Sequence, residues 1–375
     1  MSHMRRALLL TAVALMASAT VTVITPGAAS ADGTDPTWAV CSQHTIPVTT
    51  SATDPTVYNI TGRLCLRDNA VRGLKTVEVM VSGLTYDHNY FNISYQPNTY
   101  SYVYAATSRG YSTFNIDRLG VGGSDKPPAE KLTVQTHAYT IMQIIQKLRA
   151  GAIGGRAFTT VVAIGHSLGA GILQYLSGTY TDPLGLPDYL ILSGWLHQGN
   201  ATTLGTLAGS LYDATTDPLF TTAGLPAGYL TTKPNTRGPV FYNTPYSETA
   251  MITLDESIKQ TGTLVERSTL AAVRGSTVTL NITVPVLLSV GQYDSLQCDA
   301  AQGLLCATAA NLLAREQASY GPRACLTAYA SIGSGHSVNL HQKARDSYNY
   351  HHSWLDSYTV NNVGAKDANG CLPAP

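Results

Sequence analysis

Charge is scarce in this chain. Only 12% of its 375 residues are Asp, Glu, Lys or Arg, and the 23 acidic residues balance the 23 Lys and Arg. Without a basic field there is nothing to follow a phosphate backbone, so nucleic acid is not an expected partner. Phenylalanine (5) and tryptophan (3) are few, whereas tyrosine is abundant at 22. Cys-x-x-Cys, a common zinc-ligand spacing, does not occur. Beyond Ala31 no uninterrupted apolar span reaches the length that a bilayer crossing needs. Neither an internal repeat nor a low-complexity tract is present.

What is present is 44% hydrophobic residues, enough for one large α/β domain, with or without an insertion. Residues 1–31 read as a processing signal. Met1-Ser2-His3 looks like a cloning scar, Met4-Arg5-Arg6 gives a positive start, Ala7 to Ile24 is mostly small and apolar, and Ala29-Ser30-Ala31 fits a cleavage site. Ser and Thr interrupt the run and Pro26-Gly27 ends it, which argues against a retained anchor. Arg5-Arg6 leaves twin-arginine and general export both open. A secreted mature chain is expected.

All six cysteines lie beyond the cut: Cys41, Cys65, Cys298, Cys306, Cys325 and Cys371. An even count in an exported chain reads as disulfides, with fifteen possible pairings. The local one is expected: Cys41 with Cys65, Cys298 with Cys306, Cys325 with Cys371. Asn59, Asn92, Asn200 and Asn281 lie in Asn-x-Ser/Thr sequons.

Residues from Asp32 to about Ala70 read as an extended segment with short strands. Further strands are expected at Val77–Val81, Ser112–Ile116, Val161–Ile164, Tyr189–Ser193, Val284–Val290 and Leu326–Ala330, with helical spacing at Leu132–Leu148 and Ala170–Leu176. Tyr102-Val103-Tyr104 begins a helix or turn that Arg109-Gly110 ends. Strands alternating with helices imply a mostly parallel sheet covered on both faces. Residues 195–280 break the rhythm. They are rich in Thr, Gly, Pro and Tyr, with a helical patch at Glu248–Gly262, and read as a cap inserted between core segments 32–194 and 281–375.

Ser167 sits in Gly165-His166-Ser167-Leu168-Gly169, between the apolar run and a helical pattern. A sharp strand-to-helix turn lifts a serine oxygen clear of the backbone, and cramped turns need glycine. A serine is a weak nucleophile until a base takes its proton, and the base needs an orienting partner. Asp294, in Gly291-Gln292-Tyr293-Asp294, follows a strand directly, although an aspartate there is also a normal turn residue or helix cap. His336 follows the last strand through Gly333-Ser334-Gly335. His166, His341, His351 and His352 are weaker candidates for the base. Backbone donors for an oxyanion are expected at Leu168, next to the nucleophile, and at Leu84, in the turn Ser82-Gly83-Leu84-Thr85-Tyr86.

Four motifs stand in order: the Ser82-Gly83 turn, the loop Asp117-Arg118-Leu119-Gly120-x-Gly-x-Ser124-Asp125, the elbow at Ser167, and the Asp294 and His336 loops. Together they resemble the α/β-hydrolase superfamily, in particular its secreted serine hydrolases of esterase or lipase type, over residues of about 75 to 355. The resemblance implies a mostly parallel central sheet flanked by helices with an inserted cap. It also implies a triad of nucleophile Ser167, base His336 and acid Asp294. A serine at the elbow separates the chain from haloalkane dehalogenases and epoxide hydrolases, which place an aspartate there. Ser82-Gly83 departs from the His-Gly of many relatives, but backbone donors do not depend on that side chain.

The reaction expected is hydrolysis of a moderately apolar ester, lactone or lipid-like small molecule through an acyl-enzyme, with no metal or organic cofactor required. Thr85, Tyr86, Trp195, Tyr242 and Tyr246 are candidate substrate contacts. Acyl transfer or a cyclisation on a natural product would use the same fold. A peptidase and a non-catalytic binding protein are the remaining alternatives.

Overall fold

The computed structural model describes residues 34–361 and 365–373. The signal read at residues 1–31 lies outside the described residues. Two ten-residue strands open the fold, β1 (Val40–Thr49) and β2 (Val57–Leu66). They pair antiparallel in continuous register from Val40 opposite Leu66 to Thr49 opposite Val57. The sequence suggested short strands here. These are long, but only Ile46, Val48, Ile60, Leu64 and their neighbours are buried, while Ser42, Thr45 and Asn59 face solvent. Such alternation reads locally as a polar loop.

The central strands follow: β3 (Thr76–Val81), β4 (Ser112–Ile116), β5 (Thr160–His166) and β6 (Tyr189–Ser193). The chain then leaves the sheet for the cap. The cap has its own three-stranded antiparallel sheet, β7 (Leu211–Asp213), β8 (Tyr229–Thr232) and β9 (Gly262–Thr263). It returns as β10 (Val286–Gly291) and β11 (Thr327–Ser331). The main sheet runs β1-β2-β4-β3-β5-β6-β10-β11, and every pair from β4 to β11 is parallel.

The parallel strands are buried on both faces and mostly apolar, as a sheet covered twice requires, with Glu78, Thr113, Asn115 and Ser289 among the buried polar exceptions. Val77, Val79 and Val81 face one core with Ile141, Ile144 and Leu148 of helix Val134–Arg149 and Ile172, Leu173 and Leu176 of helix Leu168–Thr179. Thr133 caps the first of these helices by accepting from the Thr136 amide. Met80, Val162, Ile164 and Ile191 face the other core, with Tyr102 of helix Tyr102–Ser108 and Tyr348 and Trp354 of helix Ala344–Asp356. This second core holds much of the tyrosine: Tyr86, Tyr90, Tyr100, Tyr102, Tyr111 and Tyr348 are all buried in it.

The disulfides are Cys41–Cys65, Cys298–Cys306 and Cys325–Cys371, the local pairing expected. Cys41 and Cys65 are directly opposite on β1 and β2. Among the described residues no helix is long and apolar enough to cross a membrane. Because the strands are parallel, the loops after β3, β5, β10 and β11 meet at one edge of the sheet, where sites of open α/β sheets form.

Candidate active site

Ser167 stands between the end of β5 and the start of helix Leu168–Thr179, at φ 52° and ψ −113°. A residue with a Cβ is strained in that region, and such strain belongs to elbows that present a nucleophile. The flanking glycines explain how the turn fits. A Cβ on Gly165 would lie 2.6 Å from the Ala170 nitrogen, and one on Gly169 would lie 2.1 Å from the Val81 oxygen. The turn after β3 packs against the elbow less tightly, since a Cβ on Gly83 would sit 3.3 Å from the Ser167 Cβ. Leu168 is the first residue of its helix, so its N–H has no intrahelical acceptor. The Leu84 N–H has no acceptor among the described residues. Both amides are free to hold an oxygen that becomes negative, and the helix N-terminus adds a favourable dipole.

Asp294 is fully buried in the loop that follows β10. His336 Nδ1 donates to its carboxylate, 3.1 Å from Oδ1 and 3.0 Å from Oδ2. Oδ1 also accepts from the amides of Leu296 (3.0 Å) and Gln297 (3.2 Å). The aspartate is therefore a turn residue and the histidine's partner at once. A carboxylate only accepts, so the proton sits on Nδ1 and Nε2 is left basic. No hydrogen bond joins Ser167 to His336; such contacts are often long until a substrate is in place. His336 does reach the elbow, with its ring 4.9 Å from that of His166.

The other histidines have structural work. His341 Nε2 accepts from the amides of Gly335 (2.9 Å) and Asn243 (3.0 Å), and its Nδ1 donates to the Ser337 oxygen (2.8 Å). It fixes the loop on both sides of His336. Burial pushes its imidazole down to about 4, so it stays neutral. His166 is held far below its usual range by burial and by His336, and stacks on Tyr90 at 4.2 Å. His351 and His352 lie on helix Ala344–Asp356, bonded to Ser289 and Glu78.

Two buried arginines brace the site. Arg118 donates to the Ser82 oxygen (3.0 Å), the Gly83 oxygen (2.8 Å) and Glu266 Oε1 (2.6 Å). Burial drives the Glu266 carboxyl up, but Arg118 and His137 outweigh it and leave the group below its usual range. Arg237 grips both oxygens of Asp255 (3.0 and 2.9 Å), donates to Thr85 Oγ1 (2.9 Å) and lies 4.2 Å over the Tyr86 ring. Asp255 also accepts from the hydroxyls of Tyr86 (3.1 Å) and Tyr242 (2.9 Å).

Ser167 opens into a cavity of about 240 Å³, walled mainly by Leu84, Leu168, Trp195, Leu204, Leu207, Leu270 and Leu296. Of the expected substrate contacts, only Trp195 lines it. Thr85, Tyr86 and Tyr242 do not, because the Arg237–Asp255 pair takes up their polar atoms. Tyr246 is exposed and lies against Gly333, outside the cavity. The sequence reading gave no role to Arg118, Arg237 or helix Leu264–Arg274, which supplies Arg267, Leu270, Ala271 and Arg274 to the cavity. The one local mark of that helix was Thr263-x-x-Glu266, a capping box. Away from the cavity, Asp87, His88 and Asp117 bring three possible metal-ligand atoms within 4.8 Å of one another. His88 Nδ1 is already 2.7 Å from Asp117 Oδ1.

The sequence profile of the Alpha/beta hydrolase family matches residues 79–345. No curated protein matches the chain. Similar solved structures include a thermophilic esterase from Thermogutta terrifontis, at 15% identity over 84% of this chain and 98% of that one, with a TM-score of 0.53. A soluble variant of monoglyceride lipase from Saccharomyces cerevisiae is similar at 15% identity over 83% and 94%, TM-score 0.53. The enol-lactonase from Burkholderia xenovorans is similar at 12% identity over 80% and 96%, TM-score 0.51. At these identities the likeness is one of fold.

Proposed function

The chain belongs to the Alpha/beta hydrolase family, and from that premise we propose that it is a secreted hydrolase of carboxylic esters or lactones. The observation that carries the reading is the strained Ser167 elbow at the mouth of an apolar cavity, with His336 held on Asp294 beside it. In this reading His336 Nε2 takes the Ser167 proton as the oxygen attacks the carbonyl. The amides of Leu168 and Leu84 hold the oxyanion. His336 then protonates the departing alcohol. Water, activated by the same imidazole, releases the acid from the acyl-enzyme. The similar folds of an esterase, a monoglyceride lipase and an enol-lactonase support an ester or lactone as substrate. Three disulfides support an oxidising destination and hence export.

The test is labelling with a fluorophosphonate, mapped by mass spectrometry, alongside hydrolysis of activated esters. Label on Ser167 that disappears in His336→Ala is expected. Undiminished ester hydrolysis by Ser167→Ala would end this reading.

A further inference from the structure

Two arginines line the cavity next to Ser167, and no carboxylate does. Arg267 and Arg274 are seven residues apart on helix Leu264–Arg274, with Leu270 and Ala271 between them, so the four share one face. Arg274 lies over the Trp195 ring, 3.9 Å from its centroid, and Nη2 donates to Gln297 Oε1 at 3.2 Å. Its buried Nε has no acceptor among the described residues. Arg267 has no hydrogen bond or ion pair among the described residues. The fully buried arginines differ: Arg118 has Glu266 and Arg237 has Asp255. The carboxylates whose charge reaches Arg274 are Asp294 and Glu316. Asp294 is engaged by His336, and Glu316 by the His197 amide (2.9 Å) and ring Nδ1 (2.6 Å).

A guanidinium keeps its proton at any working pH, and among the described residues neither Arg267 nor Arg274 has a carboxylate in ion-pair contact, as Arg118 and Arg237 do. Packing on Trp195 accounts for one of the two arginines but not for the pair or for the missing acid. An arriving carboxylate would supply the counter-charge and accept two parallel N–H bonds from one guanidinium fork. The leucines that line the cavity with the two cations and Ser167 suit a methylene chain, and about 240 Å³ leaves room for a short one.

Building on the ester-hydrolase reading of Ser167, we propose that the substrate is an ester or lactone whose acyl chain is short, aliphatic and ends in a carboxylate, held by Arg274 and Arg267. Hydrolysis of such a half-ester consumes one water and yields a dicarboxylic acid and an alcohol.

The test compares para-nitrophenyl hemiglutarate with para-nitrophenyl valerate, which differ only in a terminal carboxylate for a methyl group. The wild-type kcat/KM is expected to favour the hemiglutarate by about 10- to 100-fold, the range of a charge-assisted hydrogen bond. Arg274→Gln and Arg267→Gln should each lower that ratio about tenfold, and added salt should lower it in the wild type. A wild-type ratio at or below one overturns the proposal, as does a ratio unchanged in both variants, which would assign Arg274 to packing on Trp195. Calorimetry of glutarate binding to Ser167→Ala separates the two layers. Glutarate bound by that variant and lost when Arg274→Gln is added, with neither ester cleaved by the wild type, keeps the anion site and overturns the hydrolase reading. Valerate cleavage without glutarate binding keeps the hydrolase and overturns the anion site.

Discussion

At the residue scale, Asp294 shows how two readings of one side chain can both hold. Its Oδ1 accepts the Leu296 and Gln297 amides as a turn residue would, and the same carboxylate accepts a hydrogen bond from His336 Nδ1. The roles separate by substitution. Asp294→Asn keeps an acceptor for the turn but removes the charge and allows the wrong imidazole tautomer. Its thermal midpoint should stay close to wild type while kcat falls about ten-thousandfold. Asp294→Ala also leaves the buried Leu296 amide unpaired, while the Gln297 amide keeps the Asp294 backbone oxygen at 3.1 Å, and should cost a further 1–3 kcal/mol or so of stability, read by urea denaturation. Equal stability of the two variants would refute the turn role. The positions of the candidates Ser167, Asp294 and His336 were legible in the sequence because each lies in a loop after a strand, with Gly165, Gly291 and Gly335 close by. The roles of Arg118 and Arg237 were not: Arg118 was read only as part of the Asp117–Asp125 loop, and the partners of the two lie 148 and 18 residues away.

At the scale of elements, helix Leu264–Arg274 links the cap to the Ser82-Gly83-Leu84 turn. Glu266, its third residue, closes the capping box with Thr263 and also holds Arg118, which carries the Ser82 and Gly83 carbonyls. One carboxylate thus sets where the cap helix begins and supports the backbone next to Leu84. Glu266→Gln leaves the Arg118 charge buried without a counter-ion, which should destabilise the fold by about 3–5 kcal/mol. Thr263→Ala removes only the cap bond and should cost about 1 kcal/mol. If Arg118 positions the oxyanion turn, Glu266→Gln should lower kcat more than it raises KM, whereas Thr263→Ala should change neither much. Matched kinetic effects in the two variants would count against that role. The helix escaped the sequence reading because it is short, carries Glu266, Arg267 and Arg274, and one of its two buried positions is the charged Glu266, the other being Val273. The elbow helix Leu168–Thr179 was plain because nearly all of it is buried and apolar.

At the scale of the whole molecule, the parallel core was legible because its strands are continuous apolar runs. The length of β1 and β2 was not, since each buries one face only. The same deep core also sets how stability depends on acidity. Burial holds His341 at about 4 and burial with the neighbouring His352 holds His351 at about 3, both below the ordinary 6.5 of an imidazole. The unfolded chain therefore takes up protons on these residues below pH 6.5, where the folded chain does not. The neutral forms contribute their full stability above pH 6.5. That contribution is lost as pH falls toward 4 and 3, at up to about 1.4 kcal/mol per pH unit for each group. His351→Gln retains a polar partner for Ser289 and removes one titrating ring. Its urea midpoint, followed from pH 7.5 to pH 4.5 or so, should fall less steeply than the wild type's, by roughly one proton's worth. Parallel curves would mean that His351 titrates alike in the folded and unfolded chains, and the buried neutral imidazole would have to be given up.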